Sequence, residues 1–286
     1  MTILVSGTKI PAMKPHWTLE SIHWDRFDPQ KVNPELLRAV KAACLVEGNA
    51  GDYVTYLREV FKGDAETIAA IEQWGREEIQ HGDALGRWAE LADPSFSFAK
   101  AMGAFRAGYK VPPPKNGGSV RGSRSGEMIS RCVVESGTSS YYSAMRDATD
   151  EPVLKEIAAN IAADEFRHYK LFYETLLKQK QERVPFLKRL MVAATRVSEA
   201  EDDELSYAYY CGNTPASEIG KAPYDRKQSA SAYTDRVARM YRKHHIKKAA
   251  QMIALAVGAS PQGWLARLGS WLVWTRLQMQ TRAKTA

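Results

Sequence analysis

Glu78-Ile79-Gln80-His81 and Glu165-Phe166-Arg167-His168 are one four-residue pattern, Glu-x-x-His, written twice in the chain. A lone glutamate precedes each at nearly the same distance, Glu47 by 31 residues and Glu135 by 30. A helix turns about 100° per residue, so the Glu and His of each motif lie about 60° apart and reach the same point from successive turns. Carboxylates are hard ligands that chelate or bridge, and a neutral imidazole suits iron, manganese or zinc. Four carboxylates and two imidazoles spaced this way form the ligand set of a two-metal site inside a four-helix bundle. One such motif alone is usually a solvated helix pair. Two, each with its matching glutamate, carry the signal.

The surroundings repeat too. Cys44-Leu45-Val46-Glu47 matches Cys132-Val133-Val134-Glu135 at an offset of 88, and at that offset Tyr53 matches Tyr141 and Arg58 matches Arg146. Glu77-Glu78-x-x-His81 matches Asp164-Glu165-x-x-His168 at 87. The chain reads as a helix pair used twice, over about residues 36–92 and 127–178.

The 286 residues suffice for one large core or two small ones. No run of eighteen apolar residues occurs, so no membrane-spanning helix is expected. Met1–Pro15 lacks an apolar core with a cleavage site, so no signal peptide is expected. Three scattered cysteines, Cys44, Cys132 and Cys211, with no Cys-x-x-Cys, argue for a reducing, cytoplasmic setting and against a disulfide framework. Cys44 and Cys132 read as small inward-facing packing residues. The net charge of +7 is uneven: from Lys221 onward thirteen Lys and Arg face two Asp, leaving the rest of the chain acidic.

The expected organisation is all-α. Residues 1–34, rich in proline and tryptophan, read as an arm packed on the bundle. Residues 35–180 read as a ferritin-like four-helix bundle with a di-metal core. Within them, helices are expected over about 34–62, 65–91, 126–148 and 152–179, with a short helix over 96–110 and an irregular proline- and glycine-rich crossover after it. Gly48 and Gly51, just after Glu47, leave room for a substrate or a neighbouring helix. Residues 181–286 read as a basic helical extension packed on the bundle, with helices over about 186–210, 224–257 and 262–281.

Two acids adjoin the motifs. Metal-bound histidine commonly donates its second N–H to a carboxylate, so Asp164 is expected to serve His81 and Glu77 to serve His168, across the repeat. Arg167 is placed to pair with such an acid, which Gln80 cannot do. Thr138 lies one turn beyond Glu135 on the same helix face. Its hydroxyl suits proton delivery to oxygen chemistry, or a bond to the backbone one turn back. Trp74, one turn before Glu78, reads as core packing.

The order lone Glu, Glu-x-x-His, lone Glu, Glu-x-x-His resembles the ferritin-like di-iron carboxylate proteins. Trp74-Gly75-Arg76-Glu77-Glu78-Ile79-Gln80-His81, Glu135-Ser136-Gly137-Thr138 and Ile161-Ala162-Ala163-Asp164-Glu165-Phe166-Arg167-His168 are similar to the helix signatures of soluble acyl-carrier-protein desaturases. Gln80 departs from that pattern, where the family has arginine. The resemblance covers about residues 36–178 and ends there. It implies two ferrous ions, one held mainly by Glu47, Glu78 and His81, the other by Glu135, Glu165 and His168, with Glu78 and Glu165 or a subset of the carboxylates bridging. It further implies dioxygen-dependent desaturation or hydroxylation of a C–H bond in an acyl or lipid-like substrate, and electrons from a separate ferredoxin or flavoprotein. The same ligands accept an iron–manganese pair.

Other readings stand beside this one: a hydroxylase of another large substrate, such as a quinone precursor or tRNA, or a ferroxidase or iron-handling protein. In the tail, a dense basic stretch from Arg236 to Lys248 precedes Trp264, Leu265, Leu268, Trp271, Leu272, Trp274 and Leu277. This segment reads as bundle packing, as a dock for an acyl carrier protein, or as a helix lying on a membrane surface, ahead of a nucleic-acid contact. His244 and His245 read as part of a charged face. A homodimer is a further expectation.

Overall fold

The computed structural model describes residues 17–111, 118–179, 184–199, 203–215 and 217–282. These residues are helical, with three short 3-10 turns before the first long helix and no β-strand among them. The chain runs α1 (Pro34–Gly48), α2 (Ala50–Val60), α3 (Ala65–Ala92), α4 (Phe98–Gly108), α5 (Arg124–Ala148) and α6 (Pro152–Lys178). It continues through α7 (Phe186–Ser198), α8 (Asp203–Asn213), α9 (Arg226–Met240), α10 (Lys243–Ala256) and α11 (Trp264–Arg282). The part of the arm expected over residues 1–16, and residues 112–117 of the crossover, lie outside the described residues.

Local chemistry sets the helix starts. Asn33 accepts from the Glu35 and Leu36 amides ahead of Pro34, Asp64 caps at Thr67, Ser123 caps at Gly126, and Glu151 caps at Val153 and Leu154 ahead of Pro152. Each side-chain oxygen satisfies a helix amide that has no partner within the helix, and proline is harmless in the first turn.

α1 packs along α3, α5 along α6, and α3 touches α6, so the two expected helix pairs meet along their inner faces. The main core joins α1, α3, α5 and α6 through residues such as Leu45, Leu85, Trp88, Met145 and Ile157, all almost fully buried. α8 and α9 extend that core, and α10 closes a second cluster around Phe61, Ile71, Met128 and Phe172. Trp74 packs edge-on to Phe172 with ring centroids 5.6 Å apart, and all three cysteines are buried and unpaired.

Three expected helices are each two. The helix over 34–62 breaks at Asn49, whose N–H bonds to Val46 O at 3.1 Å, a turn tighter than the α-helical one. The carbonyl freed at Gly48 accepts from Arg106 Nη2 at 2.8 Å. The break coincides with a close approach of α1 and α3: a Cβ on Gly82 would sit 2.6 Å from Gly48 N and 2.9 Å from Cys44 O. The region 186–210 holds α7 and α8. The region 224–257 is interrupted at Tyr241 and Arg242, both extended, because the His245 side chain takes the Arg242 N–H at 3.0 Å and starts a new helix.

The segment 17–33 is tied down by hydrogen bonds that sequence patterns do not reveal. Asp28 N donates to Glu151 Oε1 at 3.1 Å, and Trp88 Nε1 donates to the other oxygen of that buried carboxylate at 2.7 Å.

Candidate metal centre

α1 brings Glu47 in its last turn, α3 brings Glu77, Glu78 and His81, α5 brings Glu135 and Thr138, and α6 brings Asp164, Glu165 and His168. All six expected ligands are buried, His81 completely. Their ligand atoms fall into two groups, each within 4.8 Å: Glu47, Glu78, His81 and Glu165, and Glu78, Glu135, Glu165 and His168. Glu78 and Glu165 belong to both groups, so each has an oxygen within reach of both. Each group is able to hold a metal ion.

The histidine rings have a defined orientation. Nδ1 of His81 faces inward, 3.3 Å from Glu165 Oε1 and 3.9 Å from both Glu47 Oε2 and Glu78 Oε2. Nδ1 of His168 lies 3.0 Å from Glu78 Oε1 and 3.9 Å from Glu135 Oε2. The outward nitrogens meet acids of the opposite helix pair: His81 Nε2 lies 3.1 Å from Asp164 Oδ2, and His168 Nε2 lies 2.8 Å from Glu77 Oε2. A carboxylate on the far nitrogen fixes the tautomer that leaves the inner nitrogen as a ligand. Arg167 Nη1 lies 2.6 Å from Asp164 Oδ1 and spans toward Glu77, with Nη2 3.6 Å from Glu77 Oε2.

The donor atoms test whether metals fit. Glu78 Oε1, Glu135 Oε1, Glu165 Oε1 and both inward Nδ1 atoms are buried without a well-formed hydrogen bond among the described residues. A buried polar atom left in this state costs on the order of 1–3 kcal/mol. Five such atoms converge on one spot, and the donor set, carboxylate oxygen with imidazole nitrogen, is one that could hold a metal ion.

Electrostatics point the same way. Burial and repulsion from Glu165 and Glu47 push Glu78 well above the usual carboxylate range, and burial with Glu165 and Glu78 does the same to Glu135. Burial also opposes charge on Glu165, but His81 and His168 beside it hold it down at about 2. Burial disfavours a His81 cation, yet Asp164, Glu165 and Glu47 outweigh it and raise its pKa well above the ordinary value. The clustered carboxylates thus favour bound positive charge, which protons or divalent cations could supply.

Thr138 Oγ1 lies 2.5 Å from Glu165 Oε2 and 3.2 Å from Val134 O one turn back, so its one proton has two acceptors within reach. Gln80 donates to Trp17 O at 3.0 Å. Two residues at the site escaped the sequence reading. Tyr142 is fully buried and donates its phenol hydrogen to Glu47 Oε1. It lies seven residues after Glu135, two turns along the same face, and that spacing was the available signal. Trp17 stacks on His81, with rings 5.9 Å apart and 3° from parallel, and donates Nε1–H to Asp164 Oδ2 at 2.8 Å. A tryptophan in a proline-rich arm gives no such signal.

A third group, Asp147, His244 and His245, also has ligand types within reach of one another. Its chemistry differs. His245 is buried, not part of an exposed face; Nδ1 accepts from Arg242 N–H and Nε2 lies 3.0 Å from Asp147 Oδ2. Nε2 therefore carries the proton, and the ring caps α10.

No protein-family model matches the chain, and no curated protein matches it.

Proposed function

We propose that this protein is an oxygen-dependent non-haem di-iron oxidase, a desaturase or hydroxylase, that acts on a C–H bond of an acyl or lipid-like substrate. The observation that carries the reading is the pair of overlapping four-ligand groups sharing Glu78 and Glu165, with inward nitrogens of His81 and His168 on opposite helices. The two packed helix pairs and the Glu-x-x-His repeat support the ferritin-like resemblance on which the oxidase assignment rests. Glu47, Glu78, His81 and Glu165 would hold one ion, and Glu78, Glu135, Glu165 and His168 the other. When bound, a pair of ferrous ions supplies dioxygen reduction and the oxidising power to break an unactivated C–H bond.

The chain's own residues do the rest. Asp164 and Glu77 orient the imidazoles, and Tyr142 orients Glu47. The burial of all six ligands excludes bulk water from the centre. Thr138 Oγ1, 2.5 Å from Glu165 Oε2, would hold a proton at the edge of the ligand set. Desaturation would remove two hydrogens from adjacent carbons and, with two protons and two electrons from an external ferredoxin or flavoprotein, convert one dioxygen to two waters. Hydroxylation, with two protons and two electrons from the same external donor, would place one oxygen atom in the substrate and release the other as water.

The test is iron loading of the chain under anaerobic reduction, then dioxygen uptake and product analysis with acyl chains and a ferredoxin donor. Stoichiometric uptake with an oxidised acyl product is expected. Tight zinc binding with no dioxygen reaction of the iron form would overturn the oxidase reading.

A further inference from the structure

α11 turns an apolar face to solvent. Trp264, Leu268, Trp271, Leu272 and Met279 are 69%, 43%, 59%, 53% and 60% exposed. At about 100° per residue they fall within an arc of about 100°, a continuous stripe along the helix. The opposite side carries Ala266 and Ser270, both buried, where α11 packs on α9 and α10. Exposed Arg267 and Arg276 border the stripe, one on each side. Single exposed apolar residues are ordinary, but a stripe with two tryptophans is an interaction surface.

Charge identifies the occupant. The 51 residues from Arg236 to Ala286 contain ten Lys and Arg and no Asp or Glu. Among the cations of α10, Lys243, Lys247 and Lys248 are exposed. A second copy docked stripe to stripe would bring two such segments together with no acid in either to separate them. An anionic lipid surface fits both properties at once: the stripe enters the acyl boundary, tryptophan sits at the headgroup level, and the acid-free basic segment favours phosphates. No helix among the described residues is long and apolar enough to cross a membrane, so this contact lies in the plane of the surface.

We infer that α11 is a membrane-surface helix that seats the protein on anionic phospholipid through the Trp264–Met279 stripe. The contact requires no metal, so its test stands apart from the oxidase assignment.

The experiment is co-sedimentation of the full chain with phosphatidylglycerol–phosphatidylcholine vesicles and with phosphatidylcholine vesicles, alongside a Trp271→Ser/Leu272→Ser variant. Both substituted residues are exposed, so the fold is expected to survive, which helical circular dichroism and an unchanged Tm check. The expected result is binding to the anionic vesicles that weakens with salt, falls at least about tenfold in the variant, and shifts tryptophan emission to the blue. No binding to anionic vesicles at low salt, or equal binding by the variant, would overturn the inference. So would a variant that keeps vesicle binding but loses self-association or binding to an acidic carrier protein.

Discussion

Asp164 Oδ2 lies 3.1 Å from Nε2 of His81, so the acid beside one Glu-x-x-His motif orients the histidine of the other. Glu77 does the same for His168 at 2.8 Å. Replacing Asp164 by Asn keeps the shape and removes the charge. Its expected effect is a drop of about 10–100-fold in metal affinity, read by competition with a coloured chelator. An unchanged affinity would mean that the contact is packing alone.

Tyr142→Phe removes the donor to Glu47 Oε1 while filling the same buried space. In metal-free protein the stranded carboxylate oxygen is expected to cost about 1–3 kcal/mol in urea denaturation. With metal loaded the loss should shrink, because a cation takes over the charge. An equal loss in both states would argue against Glu47 as a ligand.

Glu78 makes metal-free stability depend on pH. Burial, Glu165 and Glu47 raise its pKa above the unfolded value of 4.5. The folded state then binds the proton more tightly than the unfolded one, so this contribution is complete below pH 4.5 and is lost as pH rises through the folded pKa. Glu78→Gln cannot titrate, so its metal-free Tm should fall less than that of wild type between pH 4.5 and 8. Parallel Tm curves would refute the assignment of this slope to Glu78.

Gly82 and Gly51 differ in what surrounds them. A Cβ on Gly82 meets the Gly48 and Cys44 backbones at under 3 Å, whereas one on Gly51 meets nothing within 4 Å. Gly82→Ala should destabilise by about 1–3 kcal/mol and loosen the Glu47–His81 geometry. Gly51→Ala in α2 should be neutral or stabilise by up to about 1 kcal/mol. Thermal melts of both variants decide it, and equal shifts would contradict the close approach of α1 and α3.

The inner site was legible because helical spacing converts sequence intervals into shared faces. Glu78 with His81, and Glu165 with His168, needed nothing more, and the offset of 87 to 88 residues tied the halves together. The acids at 77 and 164 were legible because each stands directly before the glutamate of a Glu-x-x-His motif. Contacts across long separations were not: Trp17 reaches Asp164 over 147 residues with no local pattern to announce it, and Tyr142 reaches Glu47 over 95, its place on the Glu135 face showing that it points inward but not which residue it meets. The break at Asn49 was half legible, since Gly48 and Gly51 weaken a helix, but its cause is a neighbouring backbone. The start of α10 was hidden because His245 caps with a side chain that more often signals charge or metal.

The most direct measurement is metal content per chain by mass spectrometry, for wild type, Glu47→Ala and Glu165→Ala. Glu165 belongs to both ligand groups and Glu47 to one. Two transition-metal ions are expected in the wild type, one retained without Glu47, and neither held tightly without Glu165. A wild type that binds no more than one ion, or a Glu165→Ala variant that keeps two, would contradict this.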